Sequence, residues 1–298
     1  MSVDLAPVEP AVPAAPAAPP GSRRRAVRRV LRNPLAALGL LVVVVAGAAA
    51  LLANVVAPFP YAHTDFSASL QPPSLAHWFG TDPLGRDQLS RVLFGLRASV
   101  TVGVLSVALS LSVGVPLGLL AGYYGWLDPI VSRLTDTLLA FPFLVLAVGL
   151  AAIVGPSLTI ATVAIGIAQV PGVVRVTRGE TLRLRGMDYV AAAVADGASD
   201  AVVLGRHILP NAVNALIVQA TVAVPGAVIG EAVLSFLGLG VRPPAPSLGV
   251  MLASAQDRFR DGPWLGVFPG VTIVLLTLAL NLFGDGLRDA LDPREVRR

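Results

Sequence analysis

Two residue types are missing from this chain of 298 residues, and each absence excludes a class of site. Without cysteine there is no disulfide bond and no thiolate ligand for a metal. Without lysine the chain cannot form a G-x-x-x-x-G-K-[ST] loop, because the lysine of that loop holds the nucleotide phosphates. No Ser-His-Asp order and no cluster of metal ligands stands out. We therefore expect no catalytic residue, no metal and no cofactor bound by this chain.

Charged residues are also scarce. They make up 13% of the chain, whereas hydrophobic residues make up 55%. A soluble domain carries roughly a quarter charged residues, so the composition indicates a membrane protein. We predict an all-α, polytopic protein of the inner membrane.

The apolar windows predict six transmembrane helices. A bilayer core about 30 Å thick requires roughly 20 apolar residues per helix. Four charge-free windows predict one helix each, and they are residues 33–64, 98–127, 207–230 and 262–284. A fifth window, 137–174, is too long for one helix and is interrupted by Gly155-Pro156. It predicts two helices joined by a tight turn, the first entering near Ser132.

The arginines indicate the orientation, because cytoplasmic segments retain positive charge. If both termini are cytoplasmic, the inner segments hold sixteen of the 22 arginines. The outer segments then hold Arg86, Arg91, Arg97, Arg242, Arg258 and Arg260. In this topology His63, His77 and His207 lie on opposite sides of the membrane. The alternative that residues 23–57 are a cleaved signal peptide is not favoured, because their apolar run is too long.

The chain is predicted to divide into four parts. Residues 1–32 form a disordered, Pro/Ala-rich cytoplasmic tail with an arginine cluster. Residues 33–97 form the first transmembrane helix and an outer loop. Residues 98–285 form a core of five transmembrane helices with a cytoplasmic loop at 175–211, and residues 286–298 form a cytoplasmic C-terminal tail.

The stretch DYVAAAVADGASDAVVLGRHILPN, residues 188–211, concentrates charge and helix-ending residues between two apolar runs. Asp188 can cap a helix that Gly197 ends. Ser199 or Asp200 can cap a second short helix that Pro210 ends. The stretch therefore predicts two short helices around a glycine corner on the cytoplasmic side.

Composition alone leaves three interpretations of this stretch. The first is an ordinary solvated loop. The second, a DNA-reading helix-turn-helix, is disfavoured, because the stretch has three aspartates against one arginine and one histidine, and contact with phosphates requires a positive face. The third is a docking element for a soluble partner, which its small residues would let approach the backbone closely.

The stretch resembles the cytoplasmic EAA loop of ABC importer permeases. Ala192, Ala193, Gly197, Leu209 and Pro210 match the pattern of that loop. Ala191 stands where the family has glutamate, and His207 stands where an aliphatic residue is preferred. The resemblance implies that an ATPase subunit docks here, with Asp188, Ala192, Ala193, Gly197, Ala198, Leu209 and Pro210 as the coupling residues.

Other stretches resemble one branch of that family. They are FGTDPLGRDQLSRVLFGLRAS (79–99), GYYGWLDPIVSRLTDTLLAFPF (122–143), EAVLSFLGLGVRPPAPSLGVML (231–252) and FPGVTIVLLTLALNLFGDGLRDALDPR (268–294). They look like the C-type permease subunit of the dipeptide, oligopeptide and nickel group. The resemblance implies a type I ABC importer permease fold.

The resemblance also implies a function and partners. The chain would be the translocation subunit of a peptide importer, paired with a B-type permease in the lipid bilayer. One or two ATPase subunits would bind ATP and Mg²⁺, an extracytoplasmic substrate-binding protein would deliver the peptide, and no nucleic acid would take part.

Three alternative functions stay open. The same type of complex could carry nickel or another small solute. An ion-gradient-driven secondary transporter would show inverted repeats and charged midplane residues, which are not evident here. A membrane-anchored receptor would need a sizeable soluble domain.

Gly114, Gly118 and Gly122 lie four residues apart, so they share one face of the second span and predict close helix packing. Pro116 could kink the same helix.

Ionisable residues near the spans are candidates for the translocation pathway. We single out Glu231 and Asp136, the latter with Arg133 as its predicted ion-pair partner. The alternative is that they are boundary residues that reach water or pair with neighbours.

Two outer segments are predicted outside the spans. Residues 58–97 become amphipathic toward their end and would lie along the membrane surface or touch the partner permease. The proline-rich residues 241–249 would form a loop near the docked binding protein.

Overall fold

The computed structural model describes residues 28–291, so residues 1–27 of the predicted N-terminal tail and the end of the C-terminal tail lie outside the described residues. Residues 28–32 were expected to be disordered but are helical, because Val30 packs in a buried cluster with Ala36 and Ala290. The helices that organise this part of the chain are α1 (Pro34–Leu51), α2 (Ala53–Val56), α3 (Gln88–Tyr123), α4 (Asp128–Ala140), α5 (Phe143–Val154), α6 (Leu158–Arg185), α7 (Asp188–Ala195), α8 (Asp200–Phe236), α9 (Leu248–Ala255) and α10 (Trp264–Leu291). The prediction of an all-helical polytopic protein is confirmed.

Five of these helices, α1, α3, α6, α8 and α10, are long and apolar enough to cross a membrane. The remaining predicted span is the pair α4 and α5, which is bent by 84°. Proline cannot donate a backbone hydrogen bond, and Pro142 lies at this bend. The 12 residues of α5 extend about 18 Å, which is too short to cross a bilayer alone. The count within the described residues is therefore five spans, or six when the bent pair is taken as one.

Helix ends differ from the predicted boundaries. The second span starts at Gln88 and not near Ala98, so the expected boundary at residue 97 falls inside α3. The reason is a helix cap and an ion pair. Both are formed by charged residues, so a search for charge-free windows does not include this part of the helix. Asp87 Oδ2 accepts a hydrogen bond from the backbone N–H of Ser90 at 2.8 Å, and the buried Arg91 side chain lies 3.7 Å from Asp82 Oδ2.

The predicted cytoplasmic loop and C-terminal tail are also partly helical. The first residues of the loop at 175–211 are the last turns of α6, which ends at Arg185. The last span continues to Leu291, past the expected boundary at 285. The charged residues in these turns therefore belong to helices that extend beyond the apolar part of each span.

The glycine face of α3 packs against α6. A β-carbon added at Gly118 would lie 2.5 Å from Thr177 Cβ and 2.8 Å from the carbonyl oxygen of Val174. Gly114 and Gly122 make equally close approaches one turn before and one turn after. Small residues let two backbones approach in this way, which increases van der Waals contact between membrane helices. The helix continues through Pro116 without a break.

The loop between α2 and α3 is a compact unit on the start of α10. The indole Nε1 of Trp264 donates a hydrogen bond to the Thr81 carbonyl at 3.1 Å, and the Phe79 ring stacks on Phe268 with centroids 3.9 Å apart. The end of the segment at 58–97 forms the first turns of α3, which starts at Gln88.

Candidate coupling segment and pathway residues

Residues 186–211, here called the coupling segment, begin with α7. Asp188 was expected to cap this helix from outside. Instead it is the first helical residue, and Met187 occupies the cap position without a side-chain hydrogen bond. A carboxylate in the first turn still interacts favourably with the helix dipole. Gly197 has φ of +83°, a left-handed conformation that costs glycine little, so the chain reverses there.

The second half of the coupling segment is continuous with a membrane span. We predicted a short helix that Pro210 ends, and that prediction is wrong. α8 starts at Asp200 and runs through Pro210 to Phe236. A π-helical turn at Val203–Ile208 precedes the proline, and Leu209 N–H bonds to the carbonyl of Leu204, five residues back. The wider turn accommodates a residue that lacks a donor and whose ring would clash with a regular turn.

Apolar contacts hold the coupling segment against the ends of α3 and α6. Val190 of α7 and Val203 and Ile208 of the π-helical turn are all buried. They form one cluster with Leu119 of α3 and Leu184 of α6. Burying such side chains contributes roughly 1.5–3 kcal/mol each, so the coupling segment is a packed part of the fold.

A carboxylate reinforces this attachment. Asp200 Oδ1 and Oδ2 accept hydrogen bonds from the hydroxyls of Tyr123 and Tyr124, each at 2.8 Å. The hydrogen bond to Asp200 raises the pKa of the Tyr124 phenol above its ordinary value, because the bond favours the protonated hydroxyl that donates it. Arg185 Nη1 donates to the Tyr123 carbonyl at 2.8 Å. Sequence reasoning assigned Asp200 only a capping role, because nothing local indicates its tyrosine partners.

Small residues and apolar side chains form the outer surface of the coupling segment. Ala192, Gly197 and Pro210 are exposed, while Ala193, Ala198 and Leu209 are half-buried. Beside them Tyr189, Val194 and Val202 expose between 41% and 51% of their surface. Exposed apolar side chains beside small residues, rimmed by charges, are typical of a protein interface.

Glu231, a predicted pathway residue, is fully buried. Its carboxylate accepts hydrogen bonds from Ser99 Oγ of α3 and Ser235 Oγ of α8, both at 2.7 Å. Ser235 Oγ also accepts a hydrogen bond from Val241 N–H at 3.4 Å. In this arrangement Glu231 has no surface to offer a solute, and it joins α3, α8 and the loop that follows α8.

Asp136, the other predicted pathway residue, is exposed and lies on α4. Its carboxylate is 2.9 Å from Arg175 Nη2 of α6, so the predicted pairing with Arg133 is wrong. The reason is that α6 runs beside α4 and brings Arg175 within reach. An exposed pair of this kind contributes about 0–1 kcal/mol. In residues 28–291 no group of three or more His, Cys, Asp or Glu is arranged to hold a metal ion.

Two family models match the chain. One is described as the binding-protein-dependent transport system inner membrane component and matches residues 114–297. The other is described as the N-terminal TM domain of oligopeptide transport permease C and matches residues 22–73.

Curated relatives are similar along nearly the whole chain. The dipeptide transport system permease protein DppC of Alkalihalophilus pseudofirmus is 43% identical over 91% of this chain and 90% of its own length. The glutathione transport system permease protein GsiD of Pectobacterium atrosepticum is 42% identical over 90% of this chain and 89% of its own length. The DppC protein of Haemophilus influenzae is 42% identical over 88% of this chain and 92% of its own length.

The fold is similar to that of a solved transporter. An inward-facing structure of the MetNI methionine ABC transporter matches 68% of this chain and 96% of its own chain, with a TM-score of 0.58 and 20% identity. At this identity the match concerns the fold alone. The family model over residues 114–297 and the relatives at 42–43% identity show that the chain belongs to the family of binding-protein-dependent transport system inner membrane components, and that it is the non-enzymatic translocation subunit of an ABC importer.

Proposed function

We propose that this chain is one half of a heterodimeric peptide importer of the cytoplasmic membrane, with a B-type permease as the other half. ATP and Mg²⁺ would bind to one or two partner ATPase subunits, and a substrate-binding protein would deliver the peptide from outside. The names of the dipeptide and glutathione permeases support a peptide substrate. Nickel or another small solute is the alternative substrate.

The proposed orientation places the coupling segment and both termini in the cytoplasm. Four arginines, Arg175, Arg178, Arg183 and Arg185, lie in the last turns of α6 directly before the coupling segment. Cytoplasmic segments near span ends carry such an excess of arginine. The ATPases, which are soluble and cytoplasmic in this proposal, would then meet the coupling segment directly.

One observation carries the mechanism: α8 is one helical stretch from Asp200 in the coupling segment, through the π-helical turn, to Phe236 at the far end of a span. A displacement at Asp200 therefore moves the whole span. Near the far end, Glu231 is hydrogen-bonded to Ser99 of α3. Closure of the ATPases on nucleotide would push the coupling segment and change how α8 and α3 pack, which opens and closes the two ends of the pathway alternately.

The test is a tryptophan at Gly197. Nothing lies within 4 Å of a β-carbon added there, so the indole would project into the surface proposed for the ATPase, and φ of +83° would add local strain. We expect Gly197→Trp to insert into the membrane normally but to lose both co-purification of the ATPases and peptide uptake. Gly125→Trp controls for the bulk of the indole, because Gly125 is equally open and lies outside the coupling segment, and Gly238→Trp controls for the strain, because Gly238 is open and has φ of +77°.

Normal uptake by the Gly197→Trp importer would refute the docking assignment. If the wild-type importer couples ATP hydrolysis to uptake of a solute that is not a peptide, only the substrate assignment fails.

A further inference from the structure

A cavity of about 410 Å³ opens at the end of the spans opposite the coupling segment. Phe94 and Arg97 of α3 line one side of it, and Ser157 lies at the start of α6 on another. Tyr61 comes from the loop between α2 and α3, and Arg242 comes from the loop between α8 and α9. Four separate parts of the chain thus converge on one space, and none of these residues has a role in the coupling segment.

Contacts between the lining residues and behind them hold the walls of this cavity in place. The Tyr61 and Phe94 rings meet edge to face with centroids 4.9 Å apart. The buried Arg91 donates from Nη1 to the Tyr61 carbonyl at 3.1 Å. Gly155 has φ of +95°, and a β-carbon there would lie 3.1 Å from Arg242 Nη2. The Arg242 guanidinium therefore lies beside the turn between α5 and α6.

The cavity carries uncompensated positive charge. No acidic residue lines it, and neither Arg97 nor Arg242 forms an ion pair with a carboxylate in residues 28–291. Two other arginines at the same end of the spans do have an acidic partner. The Nε atom of Arg86 lies 2.6 Å from Asp82 Oδ2, and the Nε atom of Arg91 lies 3.7 Å from the same oxygen. Two guanidinium groups beside apolar walls thus remain available for an anion.

The chemistry of the cavity matches one end of a peptide. Ligand sites of roughly 300–1,000 Å³ typically combine apolar walls with a few polar groups that set orientation. A guanidinium binds a carboxylate through two parallel N–H···O bonds, and an aromatic wall accommodates an adjacent side chain. We propose that Arg97 and Arg242 bind the C-terminal carboxylate of a peptide as it leaves the binding protein, with its last side chain against Tyr61 and Phe94. This inference rests on the peptide substrate proposed above.

The absence of cysteine from the chain permits a direct test. In the complete importer in nanodiscs, Ala98→Cys places a single thiol of this chain in the cavity. Ala76→Cys is the matched control, because Ala76 is exposed and lies outside the cavity. Labelling of the chain by an anionic and by a cationic methanethiosulfonate is followed by mass spectrometry, without and with dialanine or dialanine amide.

We expect the anionic reagent to label Ala98→Cys faster than the cationic one, on the order of tenfold relative to Ala76→Cys. The double change Arg97→Gln with Arg242→Gln should remove this preference, whereas Arg260→Gln, an exposed arginine outside the cavity, should keep it. Dialanine should slow labelling of Ala98→Cys, and dialanine amide at the same concentration should not. Thr101→Cys, also in the cavity, serves if Ala98→Cys does not assemble.

Equal protection by dialanine and its amide would overturn the proposal. Protection that follows the content of anionic lipid, with or without peptide, would assign the cavity to a lipid headgroup instead. Uptake of dialanine by the same wild-type importer, reconstituted in proteoliposomes, separates the two hypotheses. Uptake without protection refutes the carboxylate site alone, whereas protection without uptake refutes the proposed function and leaves the site.

Discussion

The Tyr124 hydroxyl donates a hydrogen bond to Asp200 Oδ2 at 2.8 Å, although the two residues are 76 positions apart in the chain. Tyr123 donates to the other oxygen of the same carboxylate. One side chain of the coupling segment thereby joins the end of α3 to the start of α8. If the ATPases push on the coupling segment, this joint makes both helices move together.

The Asp200 joint yields the first prediction. Asp200→Ala removes both acceptors, so we expect the coupling segment to move without α3, and uptake to fall about fivefold or more at an unchanged rate of ATP hydrolysis. Uptake and hydrolysis are measured together in proteoliposomes of the complete importer. The double variant Tyr123→Phe with Tyr124→Phe should reproduce the effect, because it removes the donors and leaves the carboxylate. Equal losses of uptake and hydrolysis would show that Asp200 acts in docking and not in transmission.

The packing of α3 on α6 yields the second prediction. A β-carbon at Gly118 would lie 2.5 Å from Thr177 Cβ, and real β-carbons do not approach so closely. Gly118→Ala should therefore force the helices apart and destabilise the fold by about 1–3 kcal/mol. The measurement is the thermal denaturation midpoint of the purified importer. Gly47→Ala on α1 is the control, because nothing lies within 4 Å of an added β-carbon there. Similar midpoints for both variants would contradict the close packing.

The buried carboxylate yields the third prediction. Glu231→Ala leaves the hydroxyls of Ser99 and Ser235 without their acceptor, which costs about 1–3 kcal/mol for each unsatisfied group. The midpoint of thermal denaturation should fall accordingly. Glu231→Gln keeps an acceptor and nearly the same volume, so uptake should stay within about twofold of the wild type.

The same pair of variants distinguishes a structural role from a pathway role for Glu231. A Glu231→Gln importer with wild-type stability but no uptake would show that the negative charge itself takes part in transport. Retained uptake together with a lower midpoint for Glu231→Ala would assign Glu231 to the junction of α3 and α8.

The candidate site was only partly predictable. Gly197 was expected to reverse the chain and has a left-handed φ, because that conformation depends on the residue itself. Pro210 was expected to end a helix and does not, because the π-helical turn before it accommodates the proline, and Val203 and Ile208 of that turn pack in one cluster with Leu119 of α3 and Leu184 of α6. A local sequence signal is therefore reliable where the residue itself sets the conformational energy of the backbone. It fails where contacts with distant parts of the chain outweigh that local preference.

The apolar windows and their charge-free lengths were enough to determine a helical membrane protein. A bilayer imposes the same length and the same need for internal hydrogen bonds on every span, whatever surrounds it. Only the tertiary structure decided the partners of the ionisable groups, such as Ser99 for Glu231 and Arg175 for Asp136. Those partners are 132 and 39 residues away in the chain. The packing of α3 on α8 and of α4 on α6 brings each pair together, and no local sequence pattern encodes that packing.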